Sequence, residues 1–412
     1  MRAQREDAIA RRGADQDEHV VLRPVLPGAP GRFPLTYVRA RPRTAAGAAA
    51  GRVPVLVLPG GPGLASAAPY VRFRALASRR GLDVLMVEHR GIGLSRRDEH
   101  GDDLPREAVT VEHVVEDLAA VLEHAGVPRV VVYGSSYGTY LAQAFGARHP
   151  GAVEAMVLDS PMLSVQDLAI VRAHRRRLFW HGEDPTLAPV AATVRALAAD
   201  GVPMAELSQV VQVVHEFAGP EVLHRLLLAR RRGRLQRTWR RISRLGLAEL
   251  DGPGAPYFME PDLVAGIAYG QLGFGLPPDG GPLDPQLPFA EVAAHRPAYA
   301  GEPFDLPAEL PGFTWPTVVL SGERDLRTPR PVAERVAGLA PGGVLVPLAA
   351  TGHSALDTHR LAALHVAGAA AAGTVHRLPG LADRIAALPR RGPSRLLGAA
   401  ITAAVTTGAG LP

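Results

Sequence analysis

Hydrophobic residues are distributed along this chain in two different rhythms. Residues 53–58, 84–87, 130–133 and 153–158 are short, nearly continuous apolar runs, separated by stretches in which apolar side chains recur every three or four positions. Continuous rather than alternating runs mark strands buried on both faces, so the pattern predicts an α/β architecture: a mostly parallel sheet flanked by helices. Those helices are expected near 69–79, 109–125 and 137–148. Upstream, residues 20–38 alternate weakly and are broken by Pro24, Pro27, Pro30 and Pro34. Proline cannot donate to a ladder, so this stretch suits edge strands entering the sheet from one side. A Gly/Ala-rich turn is expected at 44–51.

The rhythm changes at about residue 163. From there to 309, arginine, alanine and leucine recur at helical spacing, interrupted by Pro/Gly-rich breaks at 252–256 and 276–288. Strand patterns resume at 317–320 and 344–347, with a helix between them starting near Pro331 and a last helix after His353. The simplest organisation is one core interrupted once. It comprises a charged N-terminal extension (1–19), a first core part (20–162), an inserted helical lid (163–309), a second core part (310–378) and a C-terminal extension (379–412). The length of 412 residues fits a core plus insertion without a second independent domain.

Composition narrows the chemistry. Apolar residues make up 47% of the chain, enough for a large core and too many for a disordered protein. There is no cysteine, which excludes a disulfide framework, a thiolate metal site and a thiol nucleophile. Residues 1–18 mix arginine with acids and hold no apolar segment ahead of a small-residue cleavage site, so a cytoplasmic location is expected. Residues 396–405 are too few to cross a bilayer and read as a buried helix or a loosely held tail; no membrane span is expected. All 45 basic residues are arginine, mostly interspersed with acids. The dense run at 225–244, with Arg230, Arg231, Arg232, Arg234, Arg237, Arg240 and Arg241, reads as the solvated face of a lid helix. Only Trp239 is interleaved there as a base-stacking aromatic, so no nucleic-acid partner is expected.

The sharpest local signal is Val130-Val131-Val132-Tyr133-Gly134-Ser135-Ser136-Tyr137-Gly138-Thr139, a strand running into G-x-S-x-G and then a helix. In such an elbow the serine sits on a strained turn, and small residues two positions away on either side let strand and helix approach. Ser136 is therefore the candidate nucleophile. A serine hydroxyl needs an imidazole to take its proton and a carboxylate to hold that imidazole in the right tautomer. Asp325 follows the strand at 317–320, within Ser321-Gly322-Glu323-Arg324-Asp325, and His353 follows the next strand, within Thr351-Gly352-His353-Ser354. Their order after the serine is the one this elbow requires. Glu323 competes for the acid role, and His359, His365 and His376 lie near enough in sequence to compete for the base. For an oxyanion, Tyr137 offers the backbone N–H after the nucleophile, and Gly60 or Gly61 in the turn after residues 53–58 offers a second.

Taken as an ordered set, these motifs resemble the α/β-hydrolases of the prolyl aminopeptidase (proline iminopeptidase) and tripeptidyl aminopeptidase group. That group shows H-G-G-P-G, D-x-R-G-x-G-x-S, G-x-S-Y-G-G/T and a late Asp and Gly-His. The chain has Pro59-Gly60-Gly61-Pro62-Gly63, Glu88-His89-Arg90-Gly91-Ile92-Gly93-Leu94-Ser95, Gly134-Ser135-Ser136-Tyr137-Gly138-Thr139, Asp325 and Gly352-His353. Two positions depart from it: Pro59 stands for His and Glu88 for Asp, and the first bears on how the oxyanion loop is braced. The resemblance, over roughly 20–165 and 312–375, implies an α/β-hydrolase fold with an inserted lid. It also implies a serine peptidase that releases N-terminal proline or short N-terminal peptides and needs no metal or cofactor. In that group the lid supplies acids for the substrate's α-amino group, for which Glu183, Asp184, Glu206, Glu216, Glu249, Asp251, Glu260 and Asp262 are available. A carboxylesterase or lactone hydrolase on the same three residues is the alternative, since the lid decides the leaving group. A small peptide or ester is thus the expected partner, and a non-catalytic ligand-binding protein is the remaining reading.

Overall fold

The computed structural model describes residues 18–43, 52–247, 252 and 254–409. The turn expected at 44–51 and nearly all of the N-terminal extension lie outside the described residues, as do Glu249 and Asp251. At the centre is one sheet of eight strands: β1 (Glu18–Pro24), β2 (Arg32–Ala40), β3 (Val55–Leu58), β4 (Val84–Val87), β5 (Val130–Ser135), β6 (Val153–Asp159), β7 (Thr317–Gly322) and β8 (Gly343–Leu348). They lie in the order β1-β2-β4-β3-β5-β6-β7-β8. Only β2 pairs antiparallel with its neighbours β1 and β4; the pairs from β4 through β8 are parallel.

The N-terminal strands refine the expectation of edges. β1 is the edge, whereas β2 lies inside the sheet with Pro34 opposite Leu22. Proline is tolerated because only Tyr37–Ala40 of β2 meets β4, so Pro34 sits beyond the reach of that second ladder.

Why the central strands read as continuous apolar runs is visible in their two faces. Alternate residues of a strand point to opposite sides. Leu56 and Leu58 enter one apolar layer, covered by α2 (Val111–His124), α3 (Tyr137–Arg148) and α9 (Arg330–Leu339). Val55 and Val57 enter the other, covered by α1 (Val71–Arg79) and α10 (Arg360–Ala371). Burial on both sides leaves no polar face to alternate. Helix α2 starts where Thr110 accepts a hydrogen bond from the His113 N–H, a cap that satisfies one orphan donor of the first turn.

The segment read as a lid leaves the sheet after β6 and returns before β7. It carries α4 (Asp167–Arg176), α5 (Ala188–Ala199), α6 (Met204–Ala218), α7 (Pro220–Arg231) and α8 (Gln236–Ser243) around a third apolar cluster that includes Phe179, Val210, Val214, Leu226 and Trp239. Trp239 is almost wholly buried and donates its indole N–H to Glu206 at 2.7 Å, with Arg230 over its ring. The aromatic of the arginine-rich run is thus part of the lid core and is not presented to a partner. The C-terminal residues form α11 (Pro393–Ala409), and Ile401 and Val405 are buried in the same cluster, as is Leu326 from the second core part. A loosely held tail is therefore not what the structure shows. No helix among the described residues is long and apolar enough to cross a membrane.

Candidate active site

At the carboxyl end of β5 the chain turns sharply into α3, and Ser136 at the turn has φ 52° and ψ −121°. A non-glycine residue pays for a positive φ sterically, so the surroundings must hold it there. The flanking glycines explain how. A Cβ on Gly134 would overlap the carbonyl oxygen of Gly138, and one on Gly138 would overlap that of Leu58 at the end of β3. Strand, turn and helix are packed backbone to backbone, leaving Ser136 to project above the sheet edge.

The sequence-predicted residues meet there. His353 Nε2 lies 2.8 Å from Ser136 Oγ, and His353 Nδ1 lies 3.0 and 3.1 Å from the two carboxylate oxygens of Asp325. Asp325 terminates the turn after β7 and His353 the one after β8. The Asp325 carboxylate is fully buried, and it accepts hydrogen bonds from the backbone N–H groups of Arg327 (2.9 Å) and Thr328 (3.0 Å) and from the Thr328 hydroxyl (3.0 Å). Burial pushes its pKa up. The His353 imidazole, together with hydrogen bonds from Thr328 and Ser160, more than reverses this, and the net shift is downward. For His353, burial pushes the pKa down and the Asp325 charge and hydrogen bond push it up, with a net rise. An ionised acid therefore faces a strengthened base.

The competitors are occupied elsewhere. Glu323 accepts the Ala350 N–H at 2.6 Å, His359 Nε2 donates to the Ala386 carbonyl at 3.1 Å, and His365 and His376 are exposed.

Opposite the histidine, Gly60 comes close: a Cβ there would stand 3.2 Å from Ser136 Cβ. Tyr137 is the first residue of α3, so its N–H has no intrahelical acceptor. Gly61 has φ +122°, where any side chain would be strained. Pro59 removes the histidine found in the resembling family, and other groups brace the loop here. Buried Glu88 accepts the N–H groups of Ser66 (2.6 Å) and Ala67 (3.0 Å) just downstream. From the lid segment, Glu260 N–H donates to Gly63 O (2.9 Å) and Phe258 O accepts from Ala65 N–H (3.0 Å). Burial raises the Glu88 pKa to about 7. The side chain of Tyr137 is fixed too: its hydroxyl donates to His89 Nε2 at 3.0 Å, while His89 Nδ1–H donates to the Arg90 carbonyl at 2.7 Å. That pattern needs a neutral imidazole, and burial lowers its pKa to about 4.

Several supports escape a reading of motifs. Asp159, at the end of β6, accepts from Tyr133 Oη (2.9 Å) and from the Ala355 and Leu356 N–H groups (2.9 and 2.8 Å), anchoring the loop after His353. Ser160 accepts from the Ser354 N–H at 2.9 Å. The one available signal was a polar Asp-Ser pair closing an apolar strand.

Of the carboxylates that the resemblance made available, Asp184 bonds Thr186, Glu206 bonds Trp239 and Asp262 forms a bidentate pair with Arg96 at 2.9 and 2.7 Å. Glu183 is exposed. Glu260 accepts from the Gly93 N–H, and Glu216 reaches the Asp325 turn. None of these makes a hydrogen bond with Ser136 among the described residues.

Comparison with known proteins agrees with this architecture. Residues 53–360 match the family model described as alpha/beta hydrolase fold. A probable proline iminopeptidase of Streptomyces coelicolor is 31% identical over 105 residues, 26% of this chain and 32% of that one. A proline iminopeptidase of Heyndrickxia coagulans is 33% identical over 116 residues, 28% and 37% of the two chains. A monoacylglycerol lipase of Mycolicibacterium smegmatis is 30% identical over 167 residues, 37% of this chain and 51% of that protein. The matches thus span about a third to a half of the length of these relatives. With three quarters of its length in the family match and the eight-stranded sheet on which such sites are built, the chain belongs to the alpha/beta hydrolase fold family.

Proposed function

We propose that the protein is a serine hydrolase working through an acyl-enzyme, and that its substrates are peptides from which it releases N-terminal proline or a short N-terminal peptide. The observation that carries the hydrolase reading is the continuous chain from Ser136 Oγ through the His353 ring to buried Asp325, at 2.8 and 3.0 Å. In this reading His353 Nε2 takes the Ser136 proton as Oγ attacks the scissile carbonyl carbon, and Asp325 holds Nδ1–H and stabilises the imidazolium. The developing oxyanion is received by the N–H groups of Tyr137 and of Gly60 or Gly61. His353 then gives its proton to the leaving amine. A water, deprotonated by the same imidazole, attacks the acyl carbon and frees Ser136. No step calls for a metal or cofactor.

The peptidase reading is supported by the ordered motifs and by the two iminopeptidase relatives. One observation favours an ester instead: the hydrogen-bonded lid carboxylates Glu206, Glu216 and Asp262 are committed to protein partners, so they are not free to receive an α-amino group. Parallel assays with an N-terminal-prolyl arylamide and a short acyl ester separate the two. Cleavage of the amide is expected; cleavage of the ester alone would overturn the peptidase reading and leave the hydrolase intact. Ser136→Ala should lower either activity roughly a thousandfold or more without unfolding the protein.

A further inference from the structure

Glu216 stands near the end of α6 in the lid segment, yet its side chain serves the core. It is buried, with Oε1 3.3 Å from the Leu326 N–H and Oε2 3.2 Å from Arg327 Nε, so both carboxylate oxygens accept hydrogen bonds from the turn that begins at Asp325. The backbone of the same residue seats on the other loop: a Cβ on Gly352 would stand 2.9 Å from the Glu216 carbonyl oxygen and 3.2 Å from its Cβ. One helical residue thus touches both loops that carry the partners of Ser136.

We propose that Glu216 is a positioning residue for the triad, a lid-borne carboxylate that fixes the Asp325 turn and sets a second negative charge behind His353. The inference rests on the serine-hydrolase reading above. When Ser136 attacks, His353 becomes an imidazolium with only 11% of its side chain exposed, and each fixed charge nearby counts for more than it would in solution. Asp325, Glu216 and, at the end of β6, Asp159 are the negative groups whose charge bears on it. Arg327 on the same turn is the positive one, and buried Arg175 on α4 faces Glu216. His174 on α4 and His215 beside Glu216 are kept neutral, since burial lowers their pKa to about 4 and about 3. The Glu216 charge therefore favours the protonated base and that of Arg327 opposes it, and the pair is held by the lid helix. Burial raises the Glu216 pKa, and Arg327 opposes the rise.

The test is the rate of covalent labelling by a fluorophosphonate, measured between about pH 5 and 9 on the full-length protein. Labelling requires neutral His353, so its rate falls as pH drops through the His353 pKa. Glu216→Gln keeps the shape and removes the charge; the midpoint should move down by about half a pH unit, and the plateau rate should fall about three- to tenfold. Arg327→Gln should move the midpoint up. A residue that only held the fold would lower the melting temperature in both variants and leave both midpoints in place, and that result would overturn the proposal. Should Glu216→Gln fail to fold, Glu216→Met, of similar length and without charge, takes its place, an unmoved or raised midpoint counting against the proposal. Wild-type protein that never labels would instead sink the serine-hydrolase reading, an outcome distinct from a failure of the brace.

Discussion

Asp325 has two rivals for attention at its own turn, and their surroundings show why residue type alone does not assign a role. Glu323, two positions earlier, has a carboxylate of the same charge, but it turns outward to the Ala350 N–H, whereas Asp325 is buried and bonded to His353 Nδ1. Glu216 is equally buried, but it reaches the turn from outside the core. Asp325→Asn would present an amide where Nδ1–H needs an acceptor and would favour the wrong tautomer; kcat should fall by roughly three to four orders of magnitude with the fold intact. Glu323→Gln should leave kcat within about twofold, since that group touches only a loop N–H. Steady-state kinetics on both variants checks the assignment, and equal losses would contradict it. Ser136, Asp325 and His353 could be found in the sequence because each sits in a short motif just past a strand. Glu216 could not, because its role depends on where α6 docks, and no local spacing records that.

At the scale of elements, the legible parts were those whose burial is uniform. Strands β3 to β7 are apolar on both faces, so each showed as an unbroken run, and α3 began and ended where its pattern placed it, at Tyr137 and Arg148. The β1–β2 pair was harder to place. Its alternation matched an edge, but β2 lies inside the sheet, with its proline just past the end of the β4 ladder. The elbow itself rests on contact distance. Because a Cβ on Gly138 would strike the Leu58 carbonyl, Gly138→Ala should force β3 and α3 apart. The expected result is little soluble protein, or a melting temperature lowered by more than about 10 °C, consistent with a loss of several kcal/mol from overpacking at a backbone contact. Thermal unfolding followed by circular dichroism reads this directly; a wild-type transition in that variant would mean that the turn is not packed as described.

Across the whole molecule, the inserted segment does more than cover the sheet. Its backbone at Phe258 and Glu260 braces the loop beside Gly60 on one side of Ser136, and α6 seats against the Asp325 and His353 loops on the other. Helix α11 closes the arrangement, burying Ile401 and Val405 among lid residues while Ser394 bonds the Asp357 carbonyl below His353. This coupling was invisible in the sequence, where residues 396–405 showed only an apolar stretch with no stated partner. Burial of an isoleucine and a valine is worth about 3–5 kcal/mol together. A chain ending at residue 392 should therefore unfold at lower denaturant and lose hydrolysis before its sheet melts, as read by activity and circular dichroism through one urea titration. Coincident loss of the two signals at the wild-type midpoint would show that α11 is not needed.

The proposed chemistry begins with Ser136 as the nucleophile. The most direct measurement is intact-mass and peptide mass spectrometry of the folded protein after treatment with a fluorophosphonate. One adduct per chain is expected, located on Ser136, absent from Ser136→Ala and formed far more slowly in His353→Ala. A folded wild-type protein that gains no adduct, or gains it at another residue, would contradict it.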